Sequence, residues 1–134
     1  VKDLDFGRGE IVVRNGKGRK DRVTVLPQRV AGELKEHLKR VRRQHKRDLS
    51  EGLGNVALPG ALQVKFPSAA KEWGWQWVFP AARHHVIKAT GEFRRHHRHK
   101  TYIQKQVRTA VRRAGITKRA ACHALRHSFA THLL

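Results

Sequence analysis

Two β-branched runs, Glu10-Ile11-Val12-Val13-Arg14 and Arg22-Val23-Thr24-Val25-Leu26, flank the glycine-rich stretch Asn15-Gly16-Lys17-Gly18-Arg19-Lys20-Asp21. Strands on either side of such a connection predict a β-hairpin. Pro27 cannot donate to a strand ladder, so it ends the second strand. The spacing then predicts a helix over residues 28–48, because Val30, Leu34, Leu38 and Val41 recur at helical intervals. The other face of that helix carries Lys35, Lys39, Arg42, Arg43, Lys46 and Arg47. A small hairpin feeding a long one-sided helix predicts an α+β, mainly helical class.

The rest of the chain supplies more helix. Residues 49–60 hold three glycines and Pro59 and read as a loop. The segment 61–80 contains all three tryptophans, Trp73, Trp75 and Trp77, and Ser68 is a candidate cap for a short helix running toward Trp73. If Trp73–Trp77 is extended, the alternating rings share one side; if helical, they spread over several faces. Val78 and Phe79 beside them make core packing the competing role. Residues 81–100 are rich in His and Arg without a clear period. Tyr102, Ile103, Val107, Ala110 and Val111 predict a helix over about 100–114, ended by Gly115. A last helix is expected from about Ala121, with Leu125, Phe129 and Leu133 as its apolar stripe. No internal repeat and no second-domain boundary is visible.

Charge narrows the function. Thirty Lys and Arg against ten Asp and Glu give a formal net charge of +20 in 134 residues. Solubility needs far less, so the field favours a polyanion, and nucleic acid is the commonest. A membrane surface or a ribosomal address would suit the same charge. Separately, no apolar run reaches the ~20 residues that span a bilayer. The single cysteine, Cys122, forms no intrachain disulfide, which suits the cytoplasm. The chain lacks methionine and any signal-peptide core, and reads as part of something longer.

The strongest local chemistry is His123-Ala124-Leu125-Arg126-His127-Ser128-Phe129-Ala130-Thr131-His132. On a helix His123 and Arg126 share a face. A guanidinium gives a forked bond to phosphate oxygens, and an imidazole beside it can shuttle a proton. His123 and His127 also have zinc-protease spacing, but HALRH lacks the glutamate that activates water. His96-His97-Arg98-His99 is flanked by Arg94, Arg95 and Lys100, which repel a cation; DNA contact fits better, with a solvated basic loop as the alternative. No metal is expected. Gly16-Lys17-Gly18 is not a Walker A loop, yet a lysine at a hairpin tip can reach into a nucleic-acid groove.

Together, Gly16-Lys17-Gly18-Arg19-Lys20-Asp21-Arg22 and residues 123–134 resemble two boxes of the tyrosine recombinase (phage integrase) family, GKGxKxR and HxLRHxFATHLL, in the family's order. Leu58-Pro59, Lys65-Phe66-Pro67 and Glu72–Pro80 resemble the additional segment of integron integrases, an insert at about 56–80. Arg94-Arg95-His96-His97 and Arg113–Arg119 fit the same group, whereas residues 83–93 fit less well. The resemblance implies one partial catalytic domain over 1–134, with a DNA breaking-rejoining core.

Its implied catalytic residues are Lys17, His123 and Arg126. Its implied DNA contacts are Arg19, Lys20, Trp75, Arg95, His96 and His97, with Trp75 stacking on a protruding base and His96 and His97 bordering a base pocket. The first catalytic Arg is expected before Val1, and a third-box His and the nucleophilic Tyr after Leu134. Tyr102 precedes His123 and is therefore expected to pack or to meet DNA backbone. The chain by itself is expected not to cleave DNA. The complete protein would join gene cassettes to attachment sites, without metal, ATP or other cofactor, through a 3′-phosphotyrosine. Its partners would be duplex attachment sites, folded single-stranded cassette sites and further copies of itself in a tetrameric synapse. Its place would be the bacterial cytoplasm, on DNA. A phage or transposon integrase, a non-catalytic DNA-binding module and an RNA-binding protein remain alternatives.

Overall fold

The computed structural model describes residues 1–132, apart from the side chains of Lys17, Ala130 and His132. The described chain forms two compact units, Val1–His97 and Arg98–Leu134. The division falls within the basic run His96–Lys100, where no proline, glycine or change of composition marks it.

In the first unit, β1 (Leu4–Asp5), β2 (Glu10–Val13) and β3 (Arg22–Val25) form an antiparallel sheet in that order. The β2–β3 pairing sets Ile11 opposite Thr24 and Val13 opposite Arg22, so the expected hairpin is present. The sheet gains an edge strand, β1, that the sequence does not announce. Two residues are too few to show a period. Leu26 is 3% exposed, and its amide donates to Gly9 O at 2.6 Å. Burying a leucine to that degree contributes about 1.5–3 kcal/mol.

Helix α1 (Gln28–Ser50) begins directly after Pro27. Leu38 and Val41 are buried as the spacing predicts, but Val30 is 45% exposed and lies off the core. The buried stripe continues through His45 and Asp48. These polar residues occupy the same helical face one and two turns past Val41, and residue type hides them from an apolar pattern.

The tryptophan segment folds as short turns: α2 (Leu62–Lys65), then 3-10 turns at Pro67–Lys71 and Trp73–Trp75. Ser68 caps nothing, because Phe66 occupies the cap position and no side-chain cap bond forms. Val56, Leu58, Ala69 and Ala70 make a small core here, with Leu62, Trp75 and Trp77 packed against it. The expected insert thus carries its own apolar centre.

Residues 80–97, without a period in the sequence, form a second antiparallel hairpin, β4 (Pro80–Val86) and β5 (Phe93–His97). A register shift between Pro80 and His84 breaks the two-residue alternation. His and Arg at most positions hide the rest.

The second unit holds α3 (Lys100–Arg113) and α4 (Cys122–His132), close to their expected bounds. The imidazole of His99 caps α3, its Nδ1 accepting from the Thr101 amide at 3.4 Å. At the other end Gly115 adopts φ +67°, and Gly115 and Ile116 donate to Arg112 O and Val111 O. These crossed bonds are a Schellman motif, which favours glycine at its left-handed position. Leu133 of the expected α4 stripe lies outside the described residues. Among the described residues no helix is long and apolar enough to cross a membrane.

Candidate nucleic-acid interface

The β2–β3 connection tightens into a 3-10 turn at Lys17–Arg19. Gly18 sits at φ +79° with nothing within 4 Å of an added Cβ, and Asn15 and Arg19 also take positive φ. Holding Arg19 there costs on the order of 1–3 kcal/mol. The base of the turn is fixed from below. Asp21 accepts the Asn15 amide at 2.8 Å and Arg14 Nη1 at 3.3 Å, and Arg14 Nε also reaches Asp3 at 2.8 Å. These carboxylates hold the exposed Arg14 guanidinium above its ordinary pKa, Asp3 having the larger effect. The Lys17 side chain lies outside the described residues; its backbone is at the tip. Arg19 and Lys20 are exposed beside it. The strained, braced turn therefore presents cations to solvent.

Along α1, Lys35, Lys39, Arg42, Arg43, Lys46 and Arg47 are all exposed, as their spacing implies. Only one anion is close among the described pairs on this face, Glu36 with Lys39 at 2.6 Å. The opposite face grips the tryptophan segment. His37 Nε2 donates to Val78 O at 2.7 Å, and His45 Nε2 donates to Lys71 O at 2.9 Å. A carbonyl can only accept, so Nε2 carries the hydrogen in both rings. His45 Nδ1 is buried without a hydrogen-bond partner. Protonating it would bury a charge, and burial accordingly lowers the His45 pKa, with the Lys71 carbonyl and Asp48 opposing.

The three tryptophans neither line up nor simply fan around a helix. Trp73 faces α1, 6.0 Å from the His45 ring and 5.6 Å from the Arg42 guanidinium. Trp75 packs on the small core, and Lys2 Nζ sits 3.3 Å above its ring. Trp77 packs on the same core and meets His96 at 5.8 Å and His97 at 5.0 Å. Gln76 between them is 5% exposed, its amide nitrogen within 3.3 Å of the carbonyls of Gly54, Ala70 and Glu72. Nothing in the sequence marks Gln76 as that knot.

The second hairpin brings His85, His96 and His97 together: the His85–His96 ring centroids are 5.7 Å apart and those of His96–His97 4.1 Å. All three are exposed. Desolvation against these neighbours, then the charges of His97 and His85, lower the His96 pKa. Arg95 departs from its expected role. It is 7% exposed, its Nε and Nη2 engage Asp48 at 2.7 and 2.8 Å, and its Nη1 donates to Ala81 O and Ala82 O at 2.7 and 3.1 Å. A guanidinium so enclosed has no free edge for DNA. Sequence gives only a weak signal here: Asp48 is the acidic residue that continues the buried stripe of α1.

In the second unit His123, Arg126 and His127 are exposed on α4. His123 Nε2 lies 2.9 Å from His127 Nε2, with the rings nearly perpendicular at 88°. Such a bond needs one hydrogen between the two nitrogens, so the neutral pair holds complementary tautomers. Cys122 is half-buried and free. On α3, Thr101, Gln104, Lys105, Arg108, Thr109 and Arg112 line one depression. The Arg98 guanidinium covers the Tyr102 ring at 4.2 Å, and Tyr102 is 41% exposed. The exposed HxxR pair on α4 can hold phosphate oxygens.

Comparison with known proteins accords with that chemistry. Two curated proteins named "Integrase/recombinase", from Escherichia coli and Pseudomonas aeruginosa, are each 49% identical over 134 residues, all of this chain and 40% of theirs. The chain thus spans about two fifths of the relatives it matches. The phage integrase family pattern covers the chain from residue 1 to residue 134, and that coverage makes it a member of the phage integrase family, whose members are tyrosine recombinases.

Proposed function

We propose that the complete protein carrying this chain is a site-specific DNA recombinase, and specifically an integron integrase that moves gene cassettes. The observation that carries the general reading is the family match along all 134 residues, with a lysine at a braced hairpin tip and an HxxR helix at the family's two boxes. The finer reading rests on the tryptophan-bearing segment at about 56–80 and on the His96-His97 pair. A folded single-stranded cassette site has bases protruding from its stem, and Trp75, His96 and His97 are the residues proposed to receive them. The relatives' names say only integrase or recombinase.

In the proposed reaction a tyrosine oxygen attacks the DNA phosphorus, and the bond from phosphorus to the 5′-oxygen breaks. Arg126 holds the non-bridging oxygens and stabilises their charge in the transition state. Lys17 gives a proton to the departing 5′-oxygen, and His123 assists proton transfer at the nucleophile. The 3′-phosphotyrosine keeps the bond energy, and a 5′-hydroxyl of the partner strand reverses the step in a tetrameric synapse.

The test is Lys17→Ala in the full-length protein. General-acid loss should slow cleavage by about 10²–10⁴-fold. A substrate with sulfur at the 5′-bridging position should restore the rate, because thiolate leaves without a proton. No rescue would assign Lys17 another role.

A further inference from the structure

We propose that Asp48 and Arg95 are positioning residues that aim the exposed His85, His96 and His97 face of the β4–β5 hairpin at nucleic acid without touching it themselves. The inference rests on the DNA-binding reading above and deepens it. Three observations lead to it. First, the pair is closed to solvent on both sides, with Asp48 5% and Arg95 7% exposed. Second, Arg95 ties three elements to one point. Its fork holds Asp48 near the end of α1, Nη1 takes the carbonyls of Ala81 and Ala82, and its backbone amide donates to Asn55 O at 2.9 Å. Ala81 and Ala82 lie where the strand register shifts, between Pro80 and His84, so a side chain replaces the missing ladder bonds. Third, the next two residues of the strand are His96 and His97, whose rings join Trp77 and His85 in the exposed cluster.

Stability alone gives a poor reason for such a pair. A buried ion pair is often matched or bettered by apolar residues of similar volume. A forked guanidinium, by contrast, fixes direction as well as distance. Any tilt of β5 about Arg95 would move the adjoining imidazoles. His84 closes the site, with Nε2 3.6 Å from Asp48 Oδ2 and Nδ1 3.5 Å from Arg95 Nη2.

The experiment compares Asp48→Asn, Arg95→Met and the double variant Asp48→Leu/Arg95→Met in the full-length protein, below their melting temperatures. The probes are two DNA hairpins, one with unpaired bases protruding and one fully paired. Both single variants should lose preference for the bulged hairpin by roughly 5- to 150-fold, the range one stacked base supplies. The salt dependence of binding to the paired hairpin should stay unchanged. The imidazole resonances of His85, His96 and His97 should shift in both. The double variant should recover stability without recovering preference.

A direct phosphate contact gives the opposite pattern: Arg95→Met lowers the salt slope by about one, and Asp48→Asn frees the guanidinium and strengthens binding. That result overturns the proposal, as does a double variant that regains full preference. A wild-type protein without preference between the hairpins would sink the folded-substrate reading before any variant is made, and the proposal with it.

Discussion

The first unit contains two basic hairpins that use arginine in opposite ways. The β2–β3 hairpin projects its cations: Arg19 and Lys20 are exposed at a strained tip, and Arg14 below them is braced by Asp3 and Asp21 in solvent. The β4–β5 hairpin folds one of its three arginines inward, where Arg95 meets Asp48 in a site closed on both sides. Both segments read alike as runs of positive charge. What separates them is the partner. A buried carboxylate on α1 and two off-ladder carbonyls turn one arginine into a strut, while Arg19 and Lys20 at the tip face outward.

The largest expected difference is in stability. Removing one member of the buried pair, as in Asp48→Ala or Arg95→Ala, should cost about 3–5 kcal/mol in denaturant unfolding, because the partner is stranded. Arg14→Ala, which breaks two solvent-exposed pairs at the other hairpin, should cost far less, because solvent screens both pairs. Equal losses would erase the contrast.

Next in size is DNA affinity. Arg19→Ala/Lys20→Ala should reduce the slope of log K against log salt by about two, one for each phosphate contact removed. An unchanged slope would show that the tip does not meet the backbone of DNA.

The smallest expected effect concerns the buried side of α1. The His45 pKa is lowered from 6.5 by burial, so the unfolded chain takes up a proton that the folded chain refuses. The sign follows: His45 has no effect well above that value, and stability falls as pH drops below it. Exposed His96, also lowered, contributes in the same direction. Denaturation midpoints near about pH 7.5 and 5.5 should fall less in His45→Gln than in wild type. A variant with the same pH dependence would remove His45 from this role.

How far the sequence revealed these features depends on residue type. The β2–β3 hairpin, α1 and α3 were legible because apolar periods and glycine or proline stops coincide there, and α4 from the spacing of its apolar residues alone. The β4–β5 hairpin was not, because His and Arg fill it and a register shift breaks its alternation. The inward turn of Arg95 depended on an aspartate 47 residues away, which no local pattern can pair. His37, His45 and Gln76 hold carbonyls by tertiary geometry, and polar residues on a buried face look like solvent-facing ones until the fold is known. Lys17, His123 and Arg126 stand out by residue type and spacing, but the catalytic roles proposed for them come only from the resemblance to a family.

Covalent capture tests the central claim, that this chain belongs to a strand-cutting recombinase, most directly. The full-length protein is incubated with a nicked attachment-site duplex that traps the cleaved strand, and the products are separated on a denaturing gel. Wild type should give a protein–DNA band that is lost or strongly reduced in Arg126→Ala. No band with wild type, or an undiminished band with Arg126→Ala, would contradict it.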